Sequence, residues 1–277
     1  MAVTPYGPNQ LFYDTTEVVE IFASDEAIFK AEEAIIASLQ DEIRDKPILE
    51  MGVGAGRVTP LVTTLSRDYV GADSSQKMID KCRQKFGDDK FLVCDARHMP
   101  VFAGESFAAV FFFWNGIDEV SPSDRILILR EVHRVLKPQG IFVFSSHNLD
   151  WEEIPAYALS GFWAHRNPLA FLRNNAMRLR ALMSAFLAKR RGKRHDGFGV
   201  ISEYEEQLHL LVPRYFIRKE AQVHQLLEAG FCEIEAFAAQ GAVLDHQNRG
   251  LDHLVYYVAR KTQHPSAAII GQSHLRI

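Results

Sequence analysis

The chain has 277 residues, 47% hydrophobic and 24% charged, enough apolar material for one large folded domain or a domain with an insertion. A formal net charge of -4 excludes the strongly basic balance of a dedicated nucleic-acid-binding domain. Cys82, Cys94 and Cys232 are few, scattered and odd in number, which argues against a disulfide framework and for a reducing compartment, and their spacing lacks a metal-ligand pattern; with neither a secretory signal nor an apolar run of about 18 residues, the reading is a cytoplasmic protein without a metal.

Residues 1–16, rich in Pro, Gly, Asn and aromatic side chains, read as a loop. Residues 16–42 place Val18, Val19 and Phe22, then Ile28, Ala31, Ile35 and Leu39, at helical intervals and predict one or two helices. At 48–57 an apolar run breaks into Glu50 and three alternate glycines, Gly52, Gly54 and Gly56, followed by Arg57. This reads as a strand ending in a turn where a ligand lies against bare backbone, with 58–65 as the helix of a βα unit. A dinucleotide fingerprint needs Gly-x-Gly-x-x-Gly, whereas here the spacing is Gly-x-Gly-x-Gly and Arg57 holds the third-glycine position, which counts against NAD or FAD.

Residues 69–73 form a second short strand ending in Asp73, about 20 residues beyond the first glycine, where α/β nucleoside sites place a carboxylate for ribose hydroxyls. Ser74 to Met78 opens a helix. A third strand ends at Asp95 and Ala96, a very apolar fourth covers 106–113, and 141–145 is a fifth, preceded by a helix over 130–137 that Pro138 and Gly140 end.

Taken together, these residues resemble the class I S-adenosylmethionine-dependent methyltransferases: Glu50 with the alternate glycines, then Asp73-Ser74 with Met78, Asp95-Ala96, and the helix and turn before strand five. The resemblance covers 46–148 and resumes more weakly at 220–237, where Leu226 to Phe231 looks like the last helix leading into strand six, and at 254–260 as strand seven. It implies an α/β, Rossmann-like, doubly wound sheet of seven mostly parallel strands, with S-adenosyl-L-methionine as cofactor. The implied organisation is an N-terminal helical cover over 1–45, a cofactor-binding core over 46–150, a basic helical lid inserted after strand five over 151–215, completion of the core over 216–262, and a loose tail over 263–277. The implied cofactor residues are Glu50, Gly52, Gly54, Gly56, Asp73, Ser74, Met78, Asp95, Ala96, Trp114 and Asn115. Tyr6, Phe12 and Tyr13 of the N-terminal cover are candidates to close over the cofactor, Tyr13 foremost, with packing against the core as the alternative.

Within the insertion, residues 154–195 hold nine Lys or Arg and no Asp or Glu. Leu172, Ala176, Leu179, Met183 and Phe186 recur at helical spacing, with Arg173 and Arg180 beside them. The preferred reading packs that stripe on the core and leaves the charges solvated; contact with an anionic membrane surface or an acidic partner is the alternative, with nucleic acid ranked behind both. Downstream, Tyr204, His209 and Tyr215 are candidate substrate residues, with anchoring of the insertion as the bland alternative.

Transfer of a methyl group from a sulfonium needs an aligned nucleophile and exclusion of water, and a hydroxyl acceptor also calls for a general base. His147, at the end of strand five, is the candidate base, ahead of His165, His209 and His246. Asn115 is followed by Gly-Ile-Asp instead of a Pro-Pro-Tyr type of sequence, which disfavours a flipped nucleobase as acceptor. The expected function is methyl transfer to an oxygen or nitrogen of a small molecule. The rivals are an acceptor that is a membrane-associated amphiphile (a lipid, quinone or lipid-linked sugar), a catalytically silent cofactor-binding scaffold, and, on fold analogy alone, a nicotinamide oxidoreductase.

Overall fold

Parallel strands buried on both faces require apolar residues without alternation, and the central strands of this chain have them. The computed structural model describes residues 8–87, 90–154, 168–194, 197–205, 210–245 and 252–263. β1 (Ile48–Met51) is buried at all four positions and lies between β2 (Tyr69–Asp73) and β4 (Phe107–Phe112), parallel to both. β3 (Phe91–Val93) extends the parallel array beyond β2, and β5 (Leu136–Asn148) lies beside β4. β9 (Leu254–Lys261) runs antiparallel along residues 141–147 of β5, and β8 (Phe231–Ala238) runs antiparallel to β9.

Side chains alternate between two apolar layers. Leu49, Val110, Phe142, Phe144 and Tyr257 face α6 (Pro122–Val135), through Ile128, Leu129 and Val132, and Leu226 of α8 (Lys219–Glu228). Ile48, Phe111, Ile141, Val143 and Tyr256 face Ile35, Leu39 and Ile43 of α3 (Lys30–Ile43) and Ile79 and Cys82 of α5 (Gln76–Phe86). Each such Leu, Ile or Phe contributes about 1.5–3 kcal/mol on burial. Ser75 and Ser121 start α5 and α6 by accepting the amide hydrogens of Met78 and Asp124, which places both helix N-termini beside strand ends.

Several expectations need correction. Among the described residues the sheet has nine strands, because the segment expected to be a basic helical lid supplies a hairpin, β6 (Phe198–Glu205) with β7 (Leu210–Ile217), and β7 pairs in parallel with the last two residues of β5. The β-branched Val58-Thr59 and Val62-Thr63-Thr64 leave α4 (Thr59–Val62) with only four residues in place of a full crossover helix. The N-terminal stretch read as loop contains α1 (Pro8–Tyr13), followed by α2 (Thr16–Ser24).

The insertion helix, α7 (Pro168–Arg194), is rotated relative to expectation. Asn174, Asn175, Arg178, Ala181, Ala185 and Ala188 are buried, while Leu172, Leu179, Met183 and Phe186 are exposed. Small side chains explain the choice, because α7 approaches β6 so closely that a Cβ on Gly199 would stand 2.7 Å from that of Ala188. No helix of the described residues is long and apolar enough to cross a membrane.

Candidate functional site

β1 and β4 are sequence-distant neighbours whose crossover helices pass to opposite faces, so their carboxyl ends leave a crevice, the usual ligand position in open α/β sheets. A cavity of about 500 Å³ occupies it. Its walls join the glycine turn after β1, Asp73 and Ser74 after β2, Asp95 to Arg97 after β3, Phe112 to Trp114 after β4, Tyr13 and Phe22 from the N-terminal helices, and Val200 and Pro213 from the hairpin.

The glycine turn is shaped for close approach. Gly52 has φ +63°, and a Cβ there would meet the Phe112 ring at 2.4 Å. Gly54 has φ +56°, and a Cβ there would meet nothing within 4 Å and would stand in the crevice instead. Beside it, Asp73 accepts the Gly54 amide hydrogen on Oδ2 at 2.9 Å and that of Ser75 on Oδ1 at 2.8 Å. Burial pushes the Asp73 carboxyl up from its usual range, while those two backbone donors pull it back. The Ser74 backbone also bonds the carboxylate, so three donors fix it at the cavity wall, where it can accept from a hydroxyl. Glu50 is buried behind the turn, with Oε2 accepting from Thr59 Oγ1 at 2.9 Å and from the Tyr69 hydroxyl at 2.6 Å. Desolvation raises its pKa to about 7 in spite of both bonds. The bare backbone at Gly54, the diol acceptor at Asp73 and an acidic group poised to ionise beside a cation fit S-adenosylmethionine, with Met78 and Ala96 as apolar surface for its base.

Arg57, in the position of the missing third glycine, holds the N-terminal cover to the turn. Its guanidinium donates to both carboxylate oxygens of the fully buried Glu32, at 2.6 and 2.7 Å, and to the Ala27 carbonyl at 2.7 Å, and it stacks 4.3 Å from the centre of the Trp114 ring. Trp114 and Asn115 both take left-handed backbone conformations, φ +53° and +57°. Such strain in a tryptophan persists only where the surroundings fix it, and here the Arg57 stack and the Ser145 hydroxyl, which accepts the Asn115 amide hydrogen at 2.9 Å, do so. The ring is thereby turned toward the cavity.

The end of the crevice under the hairpin is polar. Arg214 donates to Glu119 at 2.9 Å and to Glu205 at 2.9 Å, and is paired with Glu203. Asn9 donates to Glu119 at 2.9 Å and to the Pro213 carbonyl at 2.7 Å. The Tyr13 hydroxyl also meets Glu119 and Arg214, and burial with the Glu119 charge keeps it protonated. Three carboxylates surround one guanidinium, and of these groups Glu119 lines the cavity.

Of the residues selected from sequence, Tyr13, Glu50, Gly52, Gly54, Asp73, Ser74, Met78, Asp95, Ala96 and Trp114 line this one cavity. Gly56 does not; its α-carbon faces the Phe86 ring. Asn115 is buried behind Trp114, with its side-chain amide 3.4 Å from His147 Nε2. His147 itself lies outside the cavity: Asp118 Oδ2 accepts its backbone amide at 2.6 Å and sits 2.9 Å from Nδ1, and the ring packs on Phe216. Both nitrogens are engaged in this buried framework, which corrects the expectation of a base at the substrate. Tyr204 donates to Asn174 Oδ1 at 2.8 Å, and Tyr215 accepts from Gln225 at 2.9 Å and lies under Arg125, so both anchor the insertion. His165, His209, His246 and Tyr6 lie outside the described residues. Among the described residues no group of three His, Cys, Asp or Glu is placed to hold a metal ion.

Sequence reading missed Asn9, Arg57, Arg97, Glu119 and Pro213. Arg97 pairs with Asp95 at 2.7 Å, a contact that its position two residues beyond Asp95 hints at; Glu119 directly follows the motif after strand four. Asn9 and Pro213 come from segments without a recognisable pattern.

Residues 48–140 match the family described as a methyltransferase domain. Over 107 residues the chain is 35% identical to a demethylmenaquinone methyltransferase from Thermotoga maritima, covering 37% of this chain and 44% of that protein. Over 118 residues it is 30% identical to a putative methyltransferase from Bacillus subtilis, covering 41% and 46%. The chain thus spans less than half the length of these curated relatives. Among solved structures it is similar to the CcbJ methyltransferase of Streptomyces caelestis, with TM-score 0.56 and 16% identity over 92% of this chain and 100% of that one. A methyltransferase from Mesorhizobium loti gives TM-score 0.54 and 17% identity over 83% and 98%.

Proposed function

We propose that the protein, whose residues 48–140 match the methyltransferase-domain family, transfers the methyl group of S-adenosylmethionine to an oxygen or nitrogen of a small molecule held under the β6–β7 hairpin. The observation that carries this reading is a single cavity joining the glycine turn and Asp73 at one end to Glu119, Tyr13 and Asn9 at the other. The cofactor supplies a methyl group on a sulfonium with a neutral leaving group, so much of the reactivity is its own.

The chain's residues then bind, orient and exclude water. Asp73 takes the ribose hydroxyls, the turn at Gly52 and Gly54 accommodates the cofactor chain, and Asp95 and Ala96 border the base. Trp114, fixed by Arg57, forms an apolar wall beside the transferring group. Glu119, held by Asn9 and Arg214, accepts an N–H or O–H of the acceptor and aims its lone pair. The test is product formation with amine and hydroxyl acceptors in Glu119→Gln, together with its cofactor affinity. A loss of turnover at unchanged cofactor affinity supports the assignment, and parental turnover removes it.

A second reading, a membrane-associated amphiphile as acceptor, is supported by the outward apolar stripe of α7 and by the relative named as a demethylmenaquinone methyltransferase. Activity that requires acceptor presented in vesicles would favour it over a freely dissolved acceptor.

A further inference from the structure

The solvent face of α7 is the largest feature that the cavity does not use. Leu169, Leu172, Leu179, Met183, Phe186 and Leu187 are each 52% to 78% exposed. At about 100° per residue they fall within an arc of about 100°, in a stripe about 27 Å long. Isolated exposed leucines are ordinary, but a continuous apolar stripe of this length marks a contact surface.

Charge identifies the partner. α7 holds eight of the chain's 31 Lys and Arg and none of its 35 Asp and Glu, so a strongly basic helix sits on an otherwise acidic protein. Arg173, Arg180 and Arg191 run along one border of the stripe and are exposed, and Arg190 continues its carboxyl-terminal end. An apolar face edged by long basic side chains suits a helix lying in the plane of an anionic bilayer, with aliphatic carbons beneath the headgroups and guanidinium groups at the phosphates.

We infer that the outward face of α7 docks on an anionic lipid surface through Leu169, Leu172, Leu179, Met183, Phe186 and Leu187, with the adjacent arginines on lipid phosphates. The opposite face of the helix packs on β6, where Gly199 meets Ala188 and the next residue, Val200, lines the cavity. Docking therefore holds the hairpin wall of the cavity one helix diameter, about 10 Å, from the membrane surface. The inference does not depend on methyl transfer.

The test is co-sedimentation of the full chain with vesicles of phosphatidylcholine and phosphatidylglycerol in a two-to-one mixture, against phosphatidylcholine alone, over a salt series. A triple variant (Leu172→Ser, Leu179→Ser, Phe186→Ser) and a charge variant (Arg180→Gln, Arg190→Gln, Arg191→Gln) accompany it, with light scattering for oligomeric state and circular dichroism for folding. All six sites are exposed, so both variants should fold. The expected result is binding to the anionic vesicles that weakens with salt and falls at least about tenfold in each variant, the scale of losing 1.4 kcal/mol. Absence of binding by the parent, equal binding to phosphatidylcholine alone, or parental binding by the triple variant would overturn the inference. A dimer that the triple variant dissolves, without vesicle binding, would assign the stripe to a second copy of the chain and also overturn it.

Discussion

The two ends of the cavity are built on different principles. At the cofactor end, short-range sequence patterns set the geometry: a strand, three glycines at alternate positions, and an acid closing the next strand. At the acceptor end, groups from α1, the turn after β4 and the β6–β7 hairpin converge on Glu119, and Asn9 reaches it across 110 residues of sequence. A local pattern is set by neighbours in sequence, whereas a convergent site is assembled from segments that only the fold brings together.

The largest effect should come from the buried framework beneath the acceptor end. Arg125 is fully buried, paired with Asp118 and Gln222 and donating to the Ile117 carbonyl at 3.1 Å, and Asp118 in turn holds His147 and Ser146. Arg125→Met leaves the Asp118 carboxylate buried with its ion pair gone and should cost about 3–5 kcal/mol in chemical denaturation. A cost below about 1 kcal/mol would show that the framework is not under electrostatic stress.

Asp73→Ala should separate the two ends, weakening cofactor affinity by about 1–3 kcal/mol in calorimetric titration. Unchanged affinity would remove Asp73 from the ribose site. The reciprocal variant, Glu119→Gln, should lower kcat/KM by about tenfold to a hundredfold, the scale of a hydrogen bond to a charged group, with cofactor affinity unaltered.

Glu50 gives the comparison a pH dependence. Its carboxyl is raised from the usual 4.5 to about 7, so the folded protein holds this proton more tightly than the unfolded chain. Stability of the ligand-free protein should therefore fall as pH rises from about 4.5 to about 7, and Glu50→Gln should remove that part of the slope. A cationic cofactor favours the ionised form, so its affinity should rise with pH up to about 7 with release of a proton. Affinity that does not change with pH would place the cofactor's charge away from Glu50. The smallest effect belongs to the solvent face of α7: Leu179→Ser should change stability by no more than about 0.5 kcal/mol, and a larger loss would mean that the stripe is packed after all.

The same contrast explains how much was legible in the sequence. The order of β1 to β5, β8 and β9, and the placement of Glu50, Gly54, Asp73 and Asp95 on one crevice, follow from apolar runs ending in turns and acids, which are local signals. The hairpin of β6 and β7 was not legible, because its tie to the sheet is the parallel pairing of His147 and Asn148 with Phe216 and Ile217, about 70 residues away. The rotation of α7 was not legible for a different reason: large apolar residues ordinarily mark the buried face, but here that face carries Ala181, Ala185 and Ala188 at the close approach to β6, with Asn174, Asn175 and Arg178 toward the amino end of the helix. His147 ends a strand at the ligand edge, a position that suits a base, yet only the fold reveals that Asp118 and Asn115 hold its ring away from the cavity.

Whether the crevice binds S-adenosylmethionine is decided by calorimetric titration of the purified chain with S-adenosylmethionine, S-adenosylhomocysteine and NADH in parallel. Binding of the first two, weakened by about 1–3 kcal/mol in Asp73→Ala, and no binding of NADH are expected. Binding of NADH alone, or of none of the three, would contradict it.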